Sequence, residues 1–177
     1  MELTQEQKGK IGETAVMLEL LKKGFNVINI NNSYPNYKNA DLICMNANNG
    51  KSVMIQVKTG TTHNILTGFT SELDGTIQKL EESIIGPWVF VYMPDDKMSN
   101  MEFYILTREE VIELIYSSNK WYATEYYRKL KKKYPVGVYV DWLEGGSSKA
   151  TKLHPEYKST LHQTSKDNWW KITELLK

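Results

Sequence analysis

An α/β fold, with a mixed sheet covered by helices on both sides, is predicted by three features of this sequence. A capped amphipathic stretch opens the chain, two β-branched runs flank Asn49-Gly50, and two more apolar runs, Trp88 to Met93 and Met101 to Leu106, follow a second helical stretch. Elements that alternate in this way bury one face of each against a layered core.

The first helix is expected over about residues 5 to 23. Thr4 and Gln7 have capping-box spacing, in which each side chain satisfies an amide that the first turn leaves unpaired, and Gly24 is a fitting stop. Val16, Met17, Leu20 and Leu21 recur at helical spacing, and Glu13 precedes Val16 and Met17 on that stripe, so its carboxylate points inward or to the stripe's edge. Phe25 to Ile30 reads as a first strand and Asn31 to Asn39, with Pro35, as a turn-rich stretch. After a hairpin over Ala40 to Thr59, Thr61 to Thr70 reads as a loop. A helix from Glu72 to Ile85 follows, with the stripe Leu73, Ile77, Leu80 and Ile84, and Gly86-Pro87 ends it. The two apolar strands are separated by a polar turn, Pro94 to Asn100, and Thr107 with Glu110 repeats the capping box to open a helix through about Tyr116. Beyond it the sequence suggests a Tyr- and Lys-rich helix near Trp121 to Lys133, a short strand at Val136 to Trp142, a Gly145-Gly146-Ser147-Ser148 loop and a last helix from Asp167 to Lys177.

At 177 residues and 41% apolar content the chain fits one compact domain. With 22 basic and 21 acidic residues its net charge is +1, so affinity for a polyanion must come from a local patch and not from a global field. The lone Cys44 has no internal disulfide partner, which suits a reducing compartment. The polar start MELTQEQKGK lacks the pattern of a signal peptide, and no apolar run approaches the roughly 18 residues of a membrane span. A cytoplasmic protein without membrane contact is expected.

Asn49-Gly50 between apolar runs is a strong hairpin signal. With those two residues as the loop, Asn48 pairs with Lys51, Asp41 with Lys58 and Ile43 with Gln56. Side chains alternate across a strand, so Asp41, Gln56 and Lys58 share one face while Leu42, Cys44, Ile55 and Val57 share the other. Facing side chains lie about 5 Å apart at Cβ, within reach of one hydrated cation. A slip of one residue would abolish the arrangement.

Gly12-Glu13 on the first helix, Asp41 entering the second strand and Gln56-Val57-Lys58 on the third resemble the PD-(D/E)XK nuclease superfamily, which holds many restriction enzymes and Holliday-junction resolvases. The matching order covers about residues 5 to 106 and leaves 107 to 177 as a C-terminal helical extension. The resemblance implies a restriction-endonuclease-like αβββαβ core and metal-dependent phosphodiester hydrolysis of DNA, with Mg²⁺ or Mn²⁺ as cofactor. It assigns Asp41 as the main metal ligand, completed by Gln56 and the backbone carbonyl of Val57. Glu13 would bind a metal through water or hold a second ion, and Lys58 would orient the attacking water or meet charge on the phosphate. Many members act as dimers, so a homodimer is implied, although the sequence carries no interface signal. Gln56 departs from the usual Glu or Asp and removes one negative charge, which weakens metal affinity. A module that kept the fold and lost catalysis, binding nucleic acid or a protein partner, is the alternative.

Gln78, on the expected second helix, is a candidate substrate contact by the same resemblance, against a plain solvent-facing role. Arg128, Lys129, Lys131, Lys132 and Lys133 interleave with Tyr122, Tyr126, Tyr127 and Tyr134. That pattern suits phosphates and stacked bases, or a solvated basic face over a packed Tyr stripe. For Asp41 and Lys58 the plain reading is a cross-strand ion pair. His63, His154 and His162 lack ligand spacing, and Trp169-Trp170 is expected to place one ring in the core and one at the rim.

Overall fold

The computed structural model describes residues 3–34, 37–94, 98–126, 132–146 and 157–177. Helix α1 (Gln5–Lys22) leads into β1 (Asn26–Asn29), β2 (Leu42–Met45), β3 (Ser52–Gly60) and β4 (Asn64–Ser71). Then come α2 (Leu80–Ser83), β5 (Trp88–Tyr92), β6 (Glu102–Leu106), α3 (Arg108–Trp121), β7 (Tyr134–Tyr139), α4 (Val140–Leu143) and α5 (Trp170–Thr173). The main sheet has five strands in the order β1-β2-β3-β5-β6, and a two-stranded sheet pairs β4 with β7. Strands β3 and β5 are parallel while the other pairings are antiparallel, so the main sheet is mixed, as the sequence predicts.

Both faces of this sheet are buried. Leu42, Cys44, Ile55, Val57, Val89, Val91 and Ile105 pack on one side against Val16 and Leu20 of α1 and against Trp169, Ile172 and Leu176. Trp88, Phe90, Tyr104 and Leu106 pack on the other side against Ile65, Val136 and Val138 of the small sheet and Val111, Leu114 and Ile115 of α3. β5 contributes to both cores, which is why it reads as an unbroken apolar run. Trp169 is buried and Trp170 is exposed, in line with the expected split of the pair. Cys44 is buried and its thiol is pushed up to about 11 by desolvation, so it remains protonated at neutral pH. No described helix is long and apolar enough to cross a membrane.

Both capping boxes form, at Thr4 with Gln7 and at Thr107 with Glu110. Glu110 also accepts two bonds from the buried Lys171 ammonium, at 2.8 and 2.7 Å, which ties α5 to the start of α3.

The hairpin register differs from the expected one by two residues. Leu42 pairs with Ile55, Ile43 with Met54, Cys44 with Val53 and Met45 with Ser52. The turn is longer than Asn49-Gly50 alone: Asn46 N–H donates to the Lys51 carbonyl, and Ala47 to Gly50 form the loop, with Gly50 at φ +75°. Asn46 and Asn49 add a reason for the longer turn, since both side chains donate to the Leu176 carbonyl at 2.9 Å. Because the shift is even, every side chain keeps the face assigned to it.

A second difference concerns residues 61 to 85. The expected loop is strand β4, and the expected helix from Glu72 shrinks to the four residues of α2. Asp74-Gly75 explains this, because Gly75 adopts φ +87° and Glu72 N–H donates to the Thr76 carbonyl across a tight turn. Helix α3 runs on to Trp121 and continues as a π-turn over Tyr122–Tyr126. At the C-terminus the helix starts later than Asp167, which has φ +51°.

Helix α1 lies on β3 through Gly12, where an added Cβ would sit 1.9 Å from Thr59 Oγ1. Gly9, one turn earlier, has open space around it. Gly12→Ala is therefore expected to destabilise the fold by about 1–3 kcal/mol through overpacking. Gly9→Ala should stabilise it by about 0.5–1 kcal/mol through helix propensity. Urea unfolding of both variants measures this, and a neutral Gly12→Ala would show that the helix does not seat as described.

Candidate active site

The site forms where β2 ends and β3 continues. The Asp41 N–H donates to the Ile55 carbonyl at 2.9 Å, and the Asp41 carbonyl accepts from Ile30 N–H at 2.8 Å, which pins this residue between β1 and β3. Past that point no described strand pairs with β3 on this side. The Asp41 carboxylate takes its place: Oδ2 accepts the Val57 N–H at 2.7 Å and also the Gln56 Nε2 amide. Asp41 and Gln56 are both buried. In an extended strand a residue's N–H and C=O point to the same side, so the Val57 carbonyl also faces the Asp41 side. The observed register thus brings Asp41 beside Gln56 and not opposite Lys58.

Glu13 sits half-buried at the edge of the α1 stripe formed by Lys8, Gly12, Val16 and Leu20. It is linked to Asp41 by two asparagines that sequence reasoning did not single out. Asn29 Nδ2 donates to Glu13 Oε2 at 2.7 Å, Asn29 Oδ1 accepts the Asn31 N–H at 2.9 Å, and Asn31 Nδ2 donates to Asp41 Oδ1 at 3.1 Å. The available signal was an Asn-x-Asn at a strand end beside a turn-rich stretch, a common turn pattern. Burial raises the Glu13 pKa above the ordinary carboxylate value, and the nearby Asp41 charge adds to the rise, while the Asn29 bond opposes it.

Lys58 lies one alternate position beyond Gln56, on the face of β3 that carries Trp88 across the strand pair. No ion pair joins it to Asp41 among the described residues, which removes the plain reading of a cross-strand pair. Its ammonium lies over the Trp88 ring, 5.3 Å from the centroid, next to Gly68 in the irregular part of β4. Burial lowers its pKa, and the carboxylates of Asp41 and Glu13 act against that shift.

Glu13, Asn31, Asp41, Gln56 and Lys58 line one open cleft of about 610 Å³, joined at its walls by Lys10, Tyr37 and Lys38. The cleft therefore gathers all four residues that the sequence pattern picks out. Gln78 is elsewhere, exposed in the turn before α2 with its amide 3.3 Å from Glu72 Oε1. Lys133 is ion-paired with Glu72 at 2.6 Å and Lys132 is exposed, while Arg128, Lys129 and Lys131 lie outside the described residues.

Among the described residues no group of three or more His, Cys, Asp or Glu side chains could hold a metal ion. Besides Glu6, which is ion-paired with Lys10 at 2.7 Å, the cleft is lined by the Glu13 and Asp41 carboxylates and the Gln56 amide, and the Val57 carbonyl faces the Asp41 side. This all-oxygen set fits a hard cation such as Mg²⁺, which keeps several waters and needs only one or two carboxylates. Of the four or so lone-pair positions on Asp41, three are taken by Asn31, Gln56 and Val57, and the open one is on Oδ1.

No protein-family model and no curated protein matches this sequence. Among solved structures the chain is similar to that of a bacterial homing endonuclease, I-Ssp6803I, with a TM-score of 0.45 and 18% identity. The match covers 62% of this chain and 73% of that one.

The raised Glu13 pKa fixes the sign of a pH effect. Between the unfolded and folded pKa values the folded state binds more protons, so Glu13 stabilises the fold below the unfolded value and loses that contribution as pH rises through the folded one. Glu13→Gln, which keeps an acceptor for Asn29, should raise the melting temperature in chelator at pH 7 and have a smaller effect at pH 4. Thermal melts across this range measure it, and equal curves at both ends would remove the strain assigned to Glu13.

Proposed function

We propose that this chain is a divalent-cation-dependent endonuclease of the PD-(D/E)XK type, hydrolysing phosphodiester bonds of DNA. The observation that supports this most is the convergence of Glu13, Asp41, Gln56 and Lys58 on one cleft from α1, the entry to β2 and the middle of β3. Asp41, with Gln56, the Val57 carbonyl and Glu13, would hold Mg²⁺ or Mn²⁺. Such an ion acidifies an attacking water and neutralises charge that develops on the phosphate and the leaving oxygen.

The side chains supply the rest. Three hydrogen bonds are donated to the Asp41 carboxylate, each worth about 1.5–3 kcal/mol when made to a charged group. Lys58, partly desolvated over Trp88, would direct its ammonium at a phosphate oxygen or at the attacking water. Lys38, and Lys10 on exchanging its Glu6 partner, would contact the phosphate backbone from the cleft wall. One observation favours the alternative of a non-catalytic binding module: Gln56 donates its amide to Asp41, a contact that a carboxylate at this position could not make.

The two readings separate in a cleavage assay on plasmid and single-stranded DNA with Mg²⁺ or Mn²⁺. Asp41→Ala and Lys58→Ala should each lower the cleavage rate by about 10²–10³, the size of losing one stabilising group at a reacting centre. Cleavage by both variants at the wild-type rate, or DNA binding by all three proteins without cleavage, would overturn the catalytic reading.

A further inference from the structure

In the cleft described above, Glu13 and Asp41 are carboxylates of like charge that form no ion pair among the described residues. A single turn links the two. Asn29 closes β1 and caps the turn of 3-10 helix over Ile30–Asn32, its Oδ1 accepting the Asn31 N–H. With that oxygen engaged, its Nδ2 is aimed at Glu13. Two residues on, Asn31 Nδ2 reaches Asp41 Oδ1. Between them Ile30 is buried in the core, and its N–H donates to the Asp41 carbonyl. The turn is thus fixed to the core and to the Asp41 backbone, and it presents its side-chain amides to both carboxylates, that of Asn31 acting on Glu13 as well as on Asp41.

The residue type matters. Serine, threonine or aspartate would cap this turn as well as asparagine, but none of them both accepts from the backbone and extends an amide donor to a carboxylate. Lysine or arginine would hold the carboxylates more strongly and would also neutralise them. Amides fix the two groups while leaving the negative charge in the cleft. Resting on the reading of the cleft as a metal-dependent nuclease site, we infer that Asn29 and Asn31 are positioning residues that set the Glu13 and Asp41 carboxylates in place for a divalent cation. Support of this kind behind metal ligands typically changes metal affinity by about 10–100-fold when removed.

The test uses the full chain with Asn29→Ser, which keeps a cap but is too short to reach Glu13, and Asn31→Leu, which keeps the shape and loses the donor. Mn²⁺ binding is followed by the electron paramagnetic resonance of the free ion, and unfolding midpoints are taken in chelator. Each variant should bind Mn²⁺ about tenfold more weakly, whether or not its unfolding midpoint in chelator also falls, whereas a merely structural role would lower the midpoint and leave affinity alone. In chelator, the side-chain amide ¹H–¹⁵N signal of Asn29 should move in Glu13→Ala and that of Asn31 in Asp41→Ala. Wild-type affinity in both variants, or amide signals that stay in place, would overturn the inference. Amide signals that move in those two variants, together with a wild-type protein that takes up no Mn²⁺, would support the holding contacts and sink the metal-site reading on which they are placed.

Discussion

The hydrogen bond from the Val57 N–H to the Asp41 carboxylate is the contact on which the cleft depends. Where β2 stops, β3 would present an unpaired N–H in a buried place, and leaving such a donor unsatisfied costs about 1–3 kcal/mol. A side-chain oxygen substitutes for the missing strand carbonyl. That substitution ends the β2–β3 pairing, turns the Asp41 carboxylate toward Gln56 and Asn31, and opens the space that the cleft occupies. The same residue completes the sheet and charges the site, so structure and chemistry cannot be altered separately at this position.

Helix α1 brings the second carboxylate, and its placement follows from packing. Gly12 lets the helix backbone come down onto Thr59, while Val16 and Leu20 reach the sheet core beneath. Glu13, next to the buried glycine, is then carried to the edge of the contact, where it is neither fully solvated nor neutralised. The result is a cleft in which two ionisable groups, Glu13 and Lys58, are strained toward neutrality. Burial pushes Glu13 up and Lys58 down, although Lys10 favours the charged form of Glu13 and the Asp41 and Glu13 carboxylates favour that of Lys58. Opposed shifts of this kind mark functional sites more often than structural ones. A cation beside Glu13 and a phosphate beside Lys58 would each relieve the strain.

Sequence patterns located most of this. Capping boxes at Thr4 and Thr107, the alternation around Ile55 and Val57 and the continuous apolar run of β5 are local signals, and each corresponds to the element it indicates. The face shared by Gln56 and Lys58 was legible because side-chain direction depends only on parity along a strand. The partner of Asp41 was not, because the register was set by a turn longer than Asn49-Gly50 and by side-chain bonds from Asn46 and Asn49 to Leu176, far along the chain. Strand β4 was missed for a similar reason. It is held by β7, and a strand that pairs with a segment about seventy residues away leaves little trace in its own sequence. Asp74-Gly75, by contrast, was a local signal that should have outweighed the apolar stripe running through it.

What the sequence determined by itself was the set of candidate site residues and the faces they occupy: Glu13 by a helix, Asp41, Gln56 and Lys58 by strands. What only the tertiary structure decided was how these are held: Asp41 beside Gln56, Lys58 over Trp88, and Asn29 and Asn31 between the carboxylates. The physical reason is range. Periodicity and capping act over a few residues and can be read along the chain, whereas hydrogen bonds between the end of one strand, the turn after another and a helix exist only once the core has brought them together.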